Sequence, residues 1–162
     1  NATHTSQLIL ITKLLQLRLA HTQAKHLGKI NVTEGTKGGR GKAVDRWVPA
    51  GATAVAVLER AINAARGADN LIPVGKTYGQ WATAVSKGWQ SAAKAKQLGP
   101  LRDLRSAYAC ERYRSLTLSD APVVAGSRVV DRGVDKNARA TIAQELGHGR
   151  TDVVAAYVGS GR

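Results

Sequence analysis

Phenylalanine and methionine are absent from this 162-residue chain, and aromatic residues of all kinds make up only 4%. Alanine, valine, leucine and isoleucine must then fill the interior, which predicts modest packing. The missing methionine includes position 1, so the sequence reads as a fragment or a diverged relative of a longer chain. A single cysteine, Cys110, excludes an internal disulfide and fits a reducing compartment. No apolar run is long enough to span a bilayer; the nearest, Leu8 to Leu19, is interrupted by Lys13 and Arg18. No signal-peptide pattern is present. Acidic residues are scarce: 11 Asp and Glu stand against 24 Lys and Arg, a formal charge of +13. Such an excess draws polyanions, with DNA or RNA ahead of a membrane surface. Metal ligation is not expected, because acidic clusters are missing and His21 and His26 are five apart, off one helical face. No cofactor is expected either. Gly38-Gly39 lacks the strand-to-helix setting and Lys-Ser/Thr ending of a phosphate-binding loop.

What is present reads as one domain over residues 1–162, mainly α with a small antiparallel β-hairpin. Ser6 to Leu27 reads as a helix buried nearly all round (Leu8, Ile11, Leu15, Leu19), closed by Gly28. Lys29 to Thr36 alternates as a strand with Ile30 and Val32 on one face. Ala43 to Val48 returns and stops at Pro49, which leaves Lys37, Arg40 and Lys42 at the hairpin tip. Helices are expected over Thr53–Arg66, Thr77–Gln97 and Leu101–Leu116. On the second, Tyr78, Trp81, Val85 and Trp89 fall at core spacing, and Tyr108 on the third reads as core too. Ser119 to Gly133 reads as an extended loop with short strands at Val123-Val124 and Val129-Val130. Asp135 is the expected N-cap of a helix through Leu146, with Ala138, Ile142 and Leu146 inward. Thr151 or Asp152 caps a last helix bearing Val153, Val154 and Tyr157.

The chemistry concentrates near the C-terminus. Leu146-Gly147-His148 is followed nine residues later by Tyr157, and Arg105 lies upstream within Arg-Ser-Ala-Tyr-Ala. Each residue has a plain structural reading: Tyr157 as packing, His148 as a helix-end residue, Arg105 as an ion-pair partner. Together they match what tyrosine attack on a phosphodiester needs. The phenol must lose a proton, and guanidinium forks must hold the non-bridging oxygens as negative charge builds. Tyr157 is the candidate nucleophile, and His148 the candidate phosphate ligand or acid–base group. Arg105 is the candidate clamp, and Arg102 lies about one turn away on the same face. Lys37 is the candidate general acid for the leaving oxygen. Arg18, Arg40, Lys42 and Arg150 are candidate DNA contacts.

These segments resemble the tyrosine recombinases, the integrases of phages and mobile elements. Leu-Arg-Asp-Leu-Arg-Ser-Ala-Tyr-Ala (101–109) is similar to the family's His-x-x-Arg box. Leu-Gly-His (146–148) with Tyr157 is similar to its closing box. Thr-Lys-Gly-Gly-Arg (36–40) with Val-Pro (48–49) is similar to its lysine hairpin. Residues 70–78 and 111–113 look most like integrases of integrative and conjugative elements. The resemblance spans roughly residues 28–160. It implies a catalytic-domain fold without the family's N-terminal core-binding domain. It further implies a 3′-phosphotyrosyl intermediate on double-stranded DNA, action as a homotetramer, and a DNA-associated place in a bacterial cytoplasm. Two departures stand out: Arg102 occupies the box histidine's place, and only Arg18 or Lys25 is available for the family's first arginine. They open an alternative, a catalytically impaired relative that only binds DNA. A type IB topoisomerase shares the chemistry, and a basic RNA-binding protein shares the charge.

Overall fold

The computed structural model describes residues 13–33, 45–65 and 68–161. Helix α1 (Leu14–Leu27) ends at Gly28, whose φ of +63° turns the chain out of the helix while its N–H still donates to the Ala24 carbonyl. The buried stripe of α1 is Leu17, Ala20 and Ala24. Leu15 and Leu19, expected inside, are 80% and 57% exposed. The helix packs against α2 (Ala52–Ala64), which offers Ala54 and Leu58. Close helix contact there selects the face with two alanines over the bulkier leucine face.

Strand β1 (Lys29–Asn31) pairs antiparallel with β2 (Trp47–Pro49), Ile30 opposite Val48. Ile30, Val32 and Val48 are buried, as the alternation predicts. Pro49 does not stop β2 short of pairing; it is the last residue of the strand, opposite Lys29. The tip of the hairpin, with Lys37, Arg40 and Lys42, lies outside the described residues.

Helix α3 (Tyr78–Ala95) begins with a capping box: the Gln80 N–H donates to the Thr77 hydroxyl, and the Thr77 N–H donates to the Gln80 side chain. Only Ala93 on it is buried. Trp81 and Trp89 are half-buried and Tyr78 is 57% exposed, so the expected core stripe is a partly wetted face.

The C-terminal portion is more densely tied. Helix α4 (Asp103–Thr117) packs on α6 (Arg132–Glu145) and on the closing helix α7 (Ala155–Val158). A one-turn helix α5 (Pro122–Ala125) and a 3₁₀ turn (Asp152–Val154) complete the layer. Strands were expected at Val123-Val124 and Val129-Val130. Pro122, preset at the first turn of α5, starts a helix instead, and no strand forms there. The N-cap of α6 is Asp131, whose side chain accepts from the Gly133 N–H at 2.6 Å. Asp135, the expected cap, sits one turn inside the helix and is buried. There it accepts from the Tyr113 hydroxyl at 2.8 Å and from Arg139 Nε at 2.9 Å. Burial together with the bond to Asp135 pushes the Tyr113 phenol up to about 12. Arg139 also donates to the Gly159 carbonyl, which fastens the chain just after α7.

Both portions share one apolar core running from Leu17 and Leu58 through Tyr108 and Ala109 to Ile142, Val154 and Val158. The fold is thus mainly helical with one small two-stranded antiparallel sheet. Among the described residues, no helix is long and apolar enough to cross a membrane.

Candidate active site

Four consecutive residues at the end of α6 each reach a different part of the molecule. Glu145 is buried and accepts the Tyr108 hydroxyl at 2.6 Å and Arg112 through Nε at 3.0 Å and Nη2 at 2.8 Å. That two-pronged bond raises the Arg112 pKa, and burial followed by the bond to Glu145 raises that of Tyr108. Leu146 is buried in the core, and its carbonyl accepts Arg105 Nη2 at 2.7 Å. Gly147 takes φ +73°, closing the helix with two paired bonds: its own N–H to Gln144 and the His148 N–H to Ala143. His148 then projects toward α7, where Nε2 lies 3.2 Å from the Tyr157 hydroxyl. The two rings stack at 24° with centroids 5.6 Å apart.

Tyr157 is half-buried on α7, between the fully buried Val154 and Val158. Its backbone carbonyl accepts the Cys110 thiol at 3.5 Å. The apolar neighbours dock α7 into the core, and the phenol is left at the edge facing His148. The neutral imidazole is favoured at this position. Burial lowers the His148 pKa, and the positive charges of Arg105 and then Arg46 lower it further. A neutral ring 3.2 Å from a phenol can take its proton.

Arg46 did not figure among the sequence candidates. It sits one residue before β2 and is 9% exposed. Its backbone is held on both sides: its N–H donates to Asn31 Oδ1 at 2.9 Å, and its carbonyl accepts the Val32 N–H at 2.8 Å. The guanidinium runs under the α6 terminus so closely that a Cβ on Gly147 would lie 2.8 Å from Arg46 Nη1. Glycine is favoured there for its positive φ, and any Cβ would also push the Arg46 guanidinium aside. Arg46 Nε is buried without a hydrogen-bond partner. Burial lowers its pKa, and the Arg105 charge lowers it again. A signal for it did exist in the sequence: Arg46 and the core residue Val48 are two apart, so an extended chain puts both on the buried face.

The remaining candidates lie elsewhere. Arg102 is exposed just before α4 and is not among the charges acting on His148. Arg18 is exposed on α1, where it lines an open cleft with Lys13, Leu14, Leu15, Asp69 and Asn70. Arg150 is exposed with Nε 3.5 Å from Asp152. Lys37, Arg40 and Lys42 are outside the described residues.

The cluster of Tyr157, His148, Arg105 and Arg46 therefore combines a phenol, a neutral imidazole and two guanidinium groups. Comparison with known proteins assigns it no relatives: no protein-family profile, no curated protein and no solved structure matches the chain.

Proposed function

We propose that this chain breaks and rejoins DNA strands in the manner of a tyrosine recombinase, with Tyr157 as nucleophile. The observation that carries this reading is the 3.2 Å contact between His148 Nε2 and the Tyr157 hydroxyl, beside two guanidinium groups. The phenolic oxygen bonds to phosphorus as its proton passes to His148. The bond from phosphorus to the 5′-oxygen breaks, and that oxygen takes a proton from Lys37. The 3′-phosphotyrosyl link keeps the bond energy, so the 5′-hydroxyl of a partner duplex can reverse the step without ATP. Arg105 holds a non-bridging oxygen, and losing one such preorganised donor slows catalysis on the order of 10²–10³-fold. The duplex is bound through the net charge of +13. A homotetramer on two duplexes is the assembly this reading implies.

Nicked duplexes drawn from a random-sequence pool test it, because loss of a short 5′ fragment traps the covalent adduct. Wild type is expected to form an adduct that survives denaturation, and Tyr157→Phe to bind duplex DNA without one. A second reading has its own support: Arg18 is exposed on α1 and Arg102 stands outside the cluster. A DNA-binding relative without strand transfer would shift duplex DNA and yield no adduct from any sequence in the pool.

A further inference from the structure

We infer that Arg46 and Arg105 together form a seat for a tetrahedral oxyanion, with Arg46 supplying the second guanidinium that α1 does not bring to Tyr157. The seat rests on the strand-transfer reading only for the identity of its occupant, the scissile phosphate.

Three observations converge on it. First, Arg46 is more than nine-tenths buried, and its Nε–H has no acceptor. A buried guanidinium left unpaired is strongly destabilising, and burying it becomes tolerable only when an anion completes it. Second, neither Arg46 nor Arg105 forms an ion pair among the described residues; Arg105 spends one N–H on the Leu146 carbonyl. The buried carboxylates among the described residues are already engaged, Glu145 by Tyr108 and Arg112, Asp135 by Tyr113 and Arg139. The two cations are near enough that the charge of one depresses the pKa of the other. Third, Gly147 clears the path. With no Cβ at that position, the Arg46 guanidinium passes beneath the turn that presents His148. Both guanidinium forks meet the turn at Leu146–His148, whose imidazole contacts the Tyr157 phenol, and such a set suits an oxyanion with three free oxygens. A carboxylate would leave one fork unpaired.

Inorganic phosphate is the probe, added to the full chain with chloride at equal ionic strength as control. In wild type, the Arg46 Nε–H resonance is expected to shift on phosphate addition and not on chloride addition. The His148 titration point should rise as the bound anion offsets the two guanidinium charges. A wild-type chain whose Arg46 Nε–H ignores phosphate, or follows chloride equally, overturns the seat, and this measurement needs no variant to fold. Arg46→Gln should weaken phosphate binding by about tenfold or more, the scale of a charge-assisted bond. It should also raise the His148 titration point in phosphate-free solution, whereas Arg46→Lys should preserve much of both effects. An unchanged phosphate affinity in folded Arg46→Gln likewise overturns the seat. The two proposals fail separately. Phosphate binding at Arg46 with no DNA adduct sinks strand transfer and keeps the seat. A DNA adduct that forms at the wild-type rate in Arg46→Gln keeps strand transfer and sinks the seat.

Discussion

Helices α3 and α4 both carry aromatic residues, and they differ in what those residues meet. On α4, Tyr108 and Tyr113 are 8% and 1% exposed, and each hydroxyl donates to a buried carboxylate, Glu145 or Asp135. On α3, Tyr78 is 57% exposed, Trp81 and Trp89 are half-buried, and the indole N–H of Trp89 reaches only the Gly99 carbonyl at 3.3 Å. Between Asp69 and Asp103 the chain has no acid, while Lys76, Lys87, Lys94, Lys96 and Arg102 are all basic. Helix α3 therefore has no carboxylate of its own with which to neutralise its cations. The contrast teaches that the aromatics of a helix are buried here where a facing element supplies acceptors for their polar atoms. Helix α3 keeps its charges in water, where a polyanion can reach them.

Substitutions can widen or erase this contrast. The largest effect is expected from Asp135→Ala, which strands the Tyr113 hydroxyl and Arg139 together. Loss of one partner of such a buried pair costs about 3–5 kcal/mol. Removing an aromatic of α3 instead, Trp81→Ala, should cost about 1 kcal/mol, because the indole is only half-buried. Urea melts of the two variants measure the gap, and equal losses would abolish the distinction between the helices.

Gly147→Ala comes next. Its φ of +73° costs an L-residue about 1–2 kcal/mol, and the new methyl group must displace the Arg46 guanidinium. The expected result is a stability loss together with weaker communication between Arg46 and His148, read as a rise in the His148 titration point. A stability loss without that rise would show that Arg46 does not act on His148 through this approach.

Thr77→Ala removes the capping box of α3 and should cost about 1 kcal/mol. Because α3 buries so little, the loss should be local. Hydrogen exchange is expected to quicken across residues 78–82 while amides of α4 and α6 keep their protection. Quickening throughout would mean that α3 unfolds with the rest.

The smallest effect is a pH dependence. Burial and the two arginines lower the His148 pKa from its ordinary value of 6.5, so the unfolded chain binds more protons than the folded one just below that value. Stability from this source is complete above the unfolded pKa. It declines as pH falls through that value and levels off below the folded pKa. His148→Gln should flatten the decline that sets in as pH falls through the ordinary imidazole value of about 6.5. An identical slope in the variant would remove the case for a depressed imidazole.

How far the sequence could be read varied with the range of the interactions involved. Gly28 and Gly147 as helix ends were plain, because a positive φ after a helix is a local demand that glycine meets. The inward set Ala138, Ile142 and Leu146 was plain for the same reason, one turn repeating on the next. The cap of α6 was misplaced by four residues: Asp131 and Asp135 are equally good caps on paper, and only the facing Tyr113 draws the second into the interior. On α1 the choice between the Leu15/Leu19 face and the Leu17/Ala20/Ala24 face belonged to α2. Tyr157, His148 and Arg105 could be singled out by spacing and residue type. Spacing from Val48 marked Arg46 only as inward-facing; its place beside His148 was not legible, since its partner turn lies about a hundred residues further along the chain.

Sequence by itself determined the positive charge, the helical bulk, the small hairpin and the phenol and imidazole nine residues apart. These follow from composition and from interactions within a turn or two of the backbone. Tertiary structure alone decided which charges are paired. It gave Glu145 to Tyr108 and Arg112, gave Asp135 to Tyr113 and Arg139, and left Arg46 unmatched beside Arg105 and His148. The physical reason is that a hydrogen bond or ion pair depends on distances of a few ångströms, and separation along the chain says nothing about them once α6 and α7 have folded back onto α4.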